Sequence, residues 1–221
     1  MKAVLFDFDG TLLDRDASVK RFVADQYDRL PQVNMKVDKD TYMNRFIELD
    51  AHGYVWKDRV YEQLTEEFRI EMTADALLQD YLKEFPNHCV PVKGLYEMLE
   101  HLKRKSYKIG MITNGYGDFQ MANIRALGIE GAFDVILISE WEKLRKPDSR
   151  IFLRALEKLD VEAEEAVFVG DHPENDSQAA KRVGMKAVLV QSAFRQDEDA
   201  GDVIMDLREL EEVLRKGSCG A

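Results

Sequence analysis

The sequence predicts a doubly wound α/β fold, in which a parallel sheet is covered by helices on both faces. Five short runs are predominantly apolar without alternation, at 3–6, 108–112, 134–138, 166–169 and 186–190. Such runs are typical of strands that are buried on both faces. Helical patterns separate the last four runs, and strands that alternate with helices favour a parallel sheet with right-handed crossovers.

The helices between these strands are predicted from apolar residues at helical spacing. The pattern covers 94–105, 118–127, 148–159 and 176–183, and a glycine follows directly after the second and the fourth. Glycine is common just beyond the C-terminus of a helix, so these positions support the predicted ends.

A long helical segment separates the first strand from the second. It spans about 100 residues, whereas a crossover between parallel strands needs only about 12. Asp38 and Thr73 are suitable N-caps for two of roughly four helices. We therefore predict a core domain of residues 1–14 and 91–221 and an inserted helical domain of residues 15–90. Because open α/β sheets bind ligands at the carboxyl ends of their strands, this insertion is a candidate cap domain.

Composition narrows the class of protein. The net charge of −11 argues against a nucleic-acid or membrane-surface binder. The second of two cysteines, Cys219, lies in a glycine-rich tail, which disfavours a structural disulfide with Cys89. No apolar run is long enough to span a bilayer, and Asp7 comes too early for a signal-peptide core. We expect a cytoplasmic protein, and the sequence does not indicate its oligomeric state.

Two acidic residues follow the first predicted strand, in Asp7-Phe8-Asp9-Gly10. Residues two apart in an extended segment point to the same side, so both carboxylates are expected to face one site. Carboxylates so placed repel each other unless a cation lies nearby. The alternative is an Asp-Gly turn with solvated acids.

Two further clusters follow later strands. Thr113 and Asn114 come after the second strand, where a hydroxyl and backbone amides suit an anion or form an ordinary capped turn. Lys146 precedes Pro147, which we place in the first turn of a helix. This lysine either reaches a phosphate or an acid, or is an ordinary surface lysine.

The last cluster runs from Gly170 to Asp176, after the fourth strand. Asp171 lies at the strand terminus, whereas Asp176 suits either a ligand or an N-cap. His172 is more typical of a solvated loop residue than of a metal ligand. Oxygen ligands without a Cys or His cluster favour Mg²⁺ over zinc.

In this order, DFDGTLLD, ITNG, RKPD and GDHPENDSQAA resemble the four signature motifs of the haloacid dehalogenase-like hydrolase superfamily. The resemblance spans the whole chain and implies a Rossmann-like core with a helical cap between the first two motifs. It also implies that the strands ending at Asp7, Thr113 and Asp171 lie close together. Members that attack carbon lack the second aspartate, so Asp9 favours phosphate chemistry.

The resemblance implies a role for each motif residue. Asp7 would be the nucleophile that forms an aspartyl-phosphate, and Asp9 would protonate the leaving oxygen and then activate water. Thr113, Asn114 and Lys146 would bind the phosphoryl group.

The resemblance also implies a Mg²⁺ site. Asp7, the backbone carbonyl of Asp9, and Asp171 would bind the ion, while Asp176 would orient its waters. The predicted function is a Mg²⁺-dependent phosphatase of a small phosphorylated metabolite, such as a sugar phosphate, a nucleotide or a phosphoglycolate-like ester. The alternatives are a phosphomutase or phosphotransferase of the same fold, and a catalytically silent protein that binds a phosphorylated ligand.

Substrate specificity is expected to come from the cap domain. Tyr54, Trp56, Lys57 and Arg59 are candidates because they can stack on a substrate or pair with it. The favoured alternative is that Tyr54 and Trp56 pack between cap helices.

Overall fold

The computed structural model describes residues 1–191 and 202–216. The chain divides into two compact units, Met1–Asp14 with Pro91–Ala221 and Arg15–Val90. Their assignment as a catalytic core and a cap stays a prediction. Cys219 lies outside the described residues.

The first unit is built on a parallel sheet with the strand order β3-β2-β1-β4-β5-β6. The strands are β1 (Ala3–Phe6), β2 (Lys108–Thr113), β3 (Val135–Ile138), β4 (Ala166–Gly170), β5 (Lys186–Val190) and β6 (Asp202–Ile204). The predicted α/β class and the first five strands are confirmed. The strand β6 was not predicted because it is short and begins with a charged residue.

Helices flank this sheet and form most of the second unit. In chain order they are α1 (Arg15–Arg29), α2 (Pro31–Asn34), α3 (Lys39–Asp50), α4 (Lys57–Phe68), α5 (Ala74–Glu84), α6 (Leu95–Arg104), α7 (Gly117–Ala126), α8 (Ser139–Glu142), α9 (Ser149–Leu159), α10 (Ala179–Arg182) and α11 (Leu210–Lys216). Within the described part of the chain, no helix is both long enough and apolar enough to cross a bilayer.

The sheet is held by apolar packing between its strands and α9. Phe152 on α9 meets Phe168 on β4 edge to face, with ring centroids 5.1 Å apart. Gly110 on β2 lies so close to its neighbours that a Cβ there would be 3.0 Å from Leu5 Cγ and 3.1 Å from Leu159 Cδ1. The absence of a side chain at Gly110 therefore lets Leu5 of β1 and Leu159 of α9 pack directly against β2.

Two predicted helix starts differ from the structure. The N-cap of α9 is Asp148, whose carboxylate accepts a hydrogen bond from Arg150 N at 2.9 Å. Pro147 therefore lies before the cap, and its predicted place in the first helical turn is wrong. Residues 176–183 do not form one α-helix, because a π-helical segment, Pro173–Gln178, precedes α10.

The helical unit has the two N-caps that the sequence predicts. Asp38 accepts a hydrogen bond from Thr41 N at 3.0 Å at the start of α3. Thr73 accepts one from Ala76 N at 3.1 Å at the start of α5. Each cap satisfies a backbone donor that the helix itself leaves unpaired.

The core of the helical unit contains a buried polar residue, Gln26 on α1. Its Oε1 accepts hydrogen bonds from the hydroxyls of Tyr42, at 3.2 Å, and Tyr61, at 2.9 Å. Its Nε2 donates to Asp80 Oδ2 at 2.9 Å. The single amide thus joins α1, α3, α4 and α5 and satisfies the polar groups that these aromatic residues carry into the core.

A second buried cluster fixes the end of α3. Asp50 accepts hydrogen bonds from Arg15 Nη2, at 2.9 and 2.8 Å, and pairs with Lys57 Nζ. Burial alone would raise the pKa of Asp50, but Lys57 and Arg15 hold that pKa below its ordinary value. The carboxylate stays charged because two cations surround it.

Two of the residues proposed for substrate specificity, Lys57 and Tyr54, differ in their surroundings. Lys57 is 2% exposed and paired with Asp50, so it supports the fold of this unit. Tyr54 is 70% exposed, so the expected packing of its ring between cap helices is wrong. Ala51, His52 and Gly53, which directly precede Tyr54, all have positive φ angles, of 46°, 55° and 88°.

The Asp50→Ala variant should destabilise the protein by about 3–5 kcal/mol, because it leaves a buried lysine without its partner. The measurement is urea-induced unfolding at neutral pH. The matched control is Asp28→Ala, which breaks an exposed pair with Lys39 and should cost at most about 1 kcal/mol. Equal losses in the two variants would contradict a structural role for the buried cluster.

Candidate active site

Three neighbouring strands deliver the motif residues to one edge of the sheet. Asp7 follows β1, Thr113 ends β2, and Asp171 follows β4. Because β1 lies between β2 and β4, the three residues are neighbours, as the resemblance implies. The backbone continues the ladder here, since Asp7 N donates to Val169 O at 2.9 Å.

Lys146 joins two of the motif carboxylates. Its Nζ donates to Asp7 Oδ1 and to Asp176 Oδ1, each at 2.6 Å. The lysine is 3% exposed and its ammonium also lies 5.4 Å from the centre of the Phe168 ring. The surface-lysine alternative is thereby excluded, and the residue is the positive centre of a buried acidic cluster.

Burial and charge act in opposite directions on this pair. Burial would lower the pKa of Lys146, but the carboxylates of Asp176 and Asp7 outweigh it and raise that pKa, so the ammonium is charged. Burial raises the pKa of Asp7 well above its ordinary value, and Lys146 offsets this only in part because Asp176 and Asp171 add negative charge. One lysine is too little positive charge for this cluster.

Asn114 holds the Lys146 segment in place. Its Nδ2 donates to Lys146 O and its Oδ1 accepts from Lys146 N, both at 2.9 Å. A side-chain amide that pairs with both the N–H and the C=O of one residue holds the backbone of that residue in place. The side chain of Asn114 is therefore committed to positioning the lysine.

Two glycines allow the aspartates of the fourth motif to approach. A Cβ at Gly10, which has a φ of 81°, would lie 2.4 Å from Asp171 Oδ2. A Cβ at Gly170 would lie 2.5 Å from the Asp176 side chain. A side chain at either position would collide with a carboxylate, so both positions need glycine for space, and Gly10 also needs it for its positive φ.

The three carboxylates can hold a metal ion together. Oxygen atoms of Asp7, Asp171 and Asp176 all lie within 4.8 Å of one another. A set of carboxylate oxygens fits a hard divalent cation such as Mg²⁺. The carboxylate of Asp9 is not in this set, and this residue could join it only through its backbone.

His172 shapes the loop between Asp171 and Asp176. Its Nδ1 accepts hydrogen bonds from Glu174 N at 3.2 Å and from Asn175 N at 3.3 Å. Asp176 Oδ2 in turn accepts from His172 N at 2.9 Å. The imidazole Nδ1 therefore caps this turn.

Asp9 lies beside a residue that the motif analysis missed. Gln120 Nε2 on α7 donates to Asp9 Oδ2 at 2.7 Å and to Thr113 Oγ1 at 2.8 Å. A signal was present in the sequence, because Gln120 shares the buried helix face of Ile124 and Leu127. A polar residue on a buried face needs partners, and here those partners are two motif residues.

The profile of the haloacid dehalogenase-like hydrolases matches residues 4–190, which include every motif described above. The chain belongs to this family. It is therefore a haloacid dehalogenase-like hydrolase in which the four motifs meet at the carboxyl edge of the sheet.

Individual relatives of this hydrolase are phosphatases. A glyceraldehyde 3-phosphate phosphatase from Pyrococcus furiosus is 30% identical over 226 residues, which cover 98% of this chain and 94% of the relative. A phosphoglycolate phosphatase from Aquifex aeolicus is 29% identical over 192 residues, covering 86% and 84%. The crystal structure of a HAD phosphatase from Thermococcus onnurineus has a TM-score of 0.69 and 30% identity, covering 97% and 98%. The protein is a phosphoric monoester hydrolase.

The Lys146→Met variant should be less stable by about 3–5 kcal/mol at neutral pH, because it leaves buried carboxylates without their cation. The raised pKa of Asp7 should rise further in the variant. At low pH the folded variant takes up a proton at Asp7. The difference in stability between the variant and the wild type should therefore shrink as the pH falls through the raised pKa of Asp7 in the variant.

Urea unfolding of this variant across a pH series provides the measurement. Lys143→Met, at an exposed lysine of the same connection, is the matched control and should change stability little. A pH-independent loss equal to that of the control would show that Lys146 does not balance the acidic cluster.

Proposed function

We propose that the protein is a Mg²⁺-dependent phosphatase that hydrolyses a small phosphorylated metabolite through an aspartyl-phosphate on Asp7. The observation that carries this proposal is the buried contact of 2.6 Å between the Asp7 carboxylate and the Lys146 ammonium, inside a cluster of three carboxylates. A nucleophilic carboxylate needs positive charge nearby, since the phosphate monoester that it attacks is itself an anion.

Lys146 and Mg²⁺ would offset the repulsion between the Asp7 carboxylate and the anionic phosphate ester. Lys146 favours the ionised form of Asp7, and it is close enough to the nucleophile to bind the phosphoryl oxygens as well. Mg²⁺ would be held by Asp7, Asp171 and the backbone of Asp9, close to Asp176, and supplies the remaining charge when bound. Residues 7 and 171 are presented by adjacent strands, which favours a rigid site.

Proton transfer is assigned to Asp9. In the first step its carboxyl gives a proton to the ester oxygen that leaves, and in the second its carboxylate accepts a proton from the water that attacks the aspartyl-phosphate. Thr113, at the end of β2, donates its hydroxyl to a phosphoryl oxygen, and the Asn114 backbone borders the same anion position. This arrangement leaves positioning and charge balance as the main catalytic work of the chain.

The substrate is proposed to be a phosphate ester of a small metabolite. The names of two relatives support this class, because glyceraldehyde 3-phosphate and phosphoglycolate are both short phosphorylated carbon compounds. We further assign residues 15–90 as the cap domain of the family. Lys57 is committed to Asp50, which leaves Tyr54, Trp56 and Arg59 as the candidates for substrate specificity.

Inorganic phosphate release from a panel of phosphate monoesters tests the reaction. We expect release with Mg²⁺ that a chelator abolishes, and none above the buffer blank for Asp7→Asn, which lacks the nucleophilic carboxylate. Asp118→Asn, at an exposed residue at the start of α7, is the matched control and should retain activity. Formation of an isomeric phosphate ester without free phosphate would instead identify a mutase.

Thermal unfolding with increasing Mg²⁺ tests the metal site separately from activity. Mg²⁺ that binds the folded state should stabilise the wild-type protein by about 2.7 kcal/mol at a hundred times its dissociation constant. Asp171→Asn removes a ligand charge and should need much more Mg²⁺ for the same rise in Tm, whereas Asp118→Asn should respond as the wild type does. An unchanged response of Asp171→Asn would remove Asp171 from the site.

A further inference from the structure

The side-chain amide of Gln120 connects the two sides of the proposed reaction centre. It is 2% exposed, and its Nε2 donates to Asp9 Oδ2 at 2.7 Å and to Thr113 Oγ1 at 2.8 Å. One partner is the proposed acid and base, and the other is a proposed phosphate-binding donor. Gln120 itself lies outside the four motifs.

The surroundings of Gln120 restrict its rotamer. A Cβ at Gly115 would lie 2.7 Å from Gln120 Cγ and 3.0 Å from its Cδ, so the backbone there lies directly against the side chain. Gln120 Nε2 also lies 3.4 Å from Asn114 O. The amide is enclosed between α7 and the loop after β2, which keeps it aimed at Asp9 and Thr113.

The chemistry of an amide NH₂ group gives these contacts a direction. This group only donates hydrogen bonds, so Asp9 Oδ2 and Thr113 Oγ1 must both act as acceptors towards it. The proton that Asp9 transfers then belongs on Oδ1. The Thr113 hydroxyl likewise directs its own hydrogen to another acceptor, which in the proposed reaction is a phosphoryl oxygen.

We propose that Gln120 is a positioning residue that orients the Asp9 carboxyl for protonation of the leaving group and the Thr113 hydroxyl for phosphate binding. The inference rests on the proposed phosphatase function and adds a residue to it. In the step concerned, the bond from phosphorus to the ester oxygen breaks as Asp7 bonds to phosphorus. The Oδ1–H bond of Asp9 then breaks, and its proton goes to the ester oxygen, which leaves as an alcohol.

The dependence of the rate on the leaving group tests this role. An alkyl phosphate such as glycerol phosphate needs protonation of its leaving oxygen, whereas para-nitrophenyl phosphate releases a stable anion and needs little. The values of kcat/KM cover the steps up to departure of the leaving group, so they report on this proton. For Gln120→Met, we expect kcat/KM to fall roughly 10²-fold for the alkyl ester, as for other losses of catalytic positioning, and much less for the aryl ester.

The ratio of the two kcat/KM values is the decisive quantity, because both are measured on one sample and the folded fraction cancels. Gln120→Glu, which replaces the donor by an acceptor, should change the ratio in the same direction as Gln120→Met. Gln79→Met removes an amide from an exposed position on α5 and should leave the ratio at its wild-type value.

Two results would overturn the inference, and only the second would also reject the proposed phosphatase function. Equal losses on both esters in the Gln120 variants would mean that the amide does not orient Asp9 for protonation of the leaving group, while the phosphatase proposal stands. A wild-type protein that releases phosphate from neither ester nor from the wider panel would reject the phosphatase proposal itself, and this inference with it.

Discussion

The arrangement of the candidate active site depends on one buried ammonium group, that of Lys146. The parallel sheet brings the ends of β1 and β4 together, and with them the carboxylates of Asp7, Asp171 and Asp176. Their mutual repulsion would oppose folding unless positive charge accompanied them into the interior. Lys146 supplies part of that charge, and Asn114 fixes the backbone that carries it. The negative charge that remains suits the site to a divalent cation and thus to chemistry on phosphate.

The helical unit contains the opposite balance of charge. There a single carboxylate, Asp50, is surrounded by Arg15 and Lys57, and its charge is fully compensated within the unit. A cluster that is satisfied in this way stabilises a fold but has little capacity for a further cation. The acidic cluster of the sheet unit is left incomplete, which is typical of sites where stability is sacrificed for function. Two buried lysines in one chain therefore have different tasks, and the balance of charge around each distinguishes them.

Physical differences between the elements explain how far the sequence could predict them. The strands β1 and β5 were predicted residue for residue because continuous apolar runs leave little choice of structure. The start of α9 was misplaced because Pro147 and Asp148 compete as helix-start signals, and the carboxylate of Asp148 provides the cap. The proximity of the strands that end at Asp7, Thr113 and Asp171 was implied by the family resemblance, and the strand order confirms it. The hydrogen bonds of Gln120 could not be predicted, because its partners Asp9 and Thr113 lie in other segments of the chain. The sequence shows only a polar residue on an otherwise apolar helix face.

Gly10 and Gly170 have a consequence for how this protein would respond to random mutation. Neither residue has a functional group, yet the volume that each lacks is taken up by a carboxylate of the site. A survey of tolerated substitutions would thus score both glycines as severely as the aspartates beside them. The positions that tolerate no substitution would therefore include residues that border the reaction centre as well as residues that react. A map of such positions would show the shape of the site and not only its chemical groups.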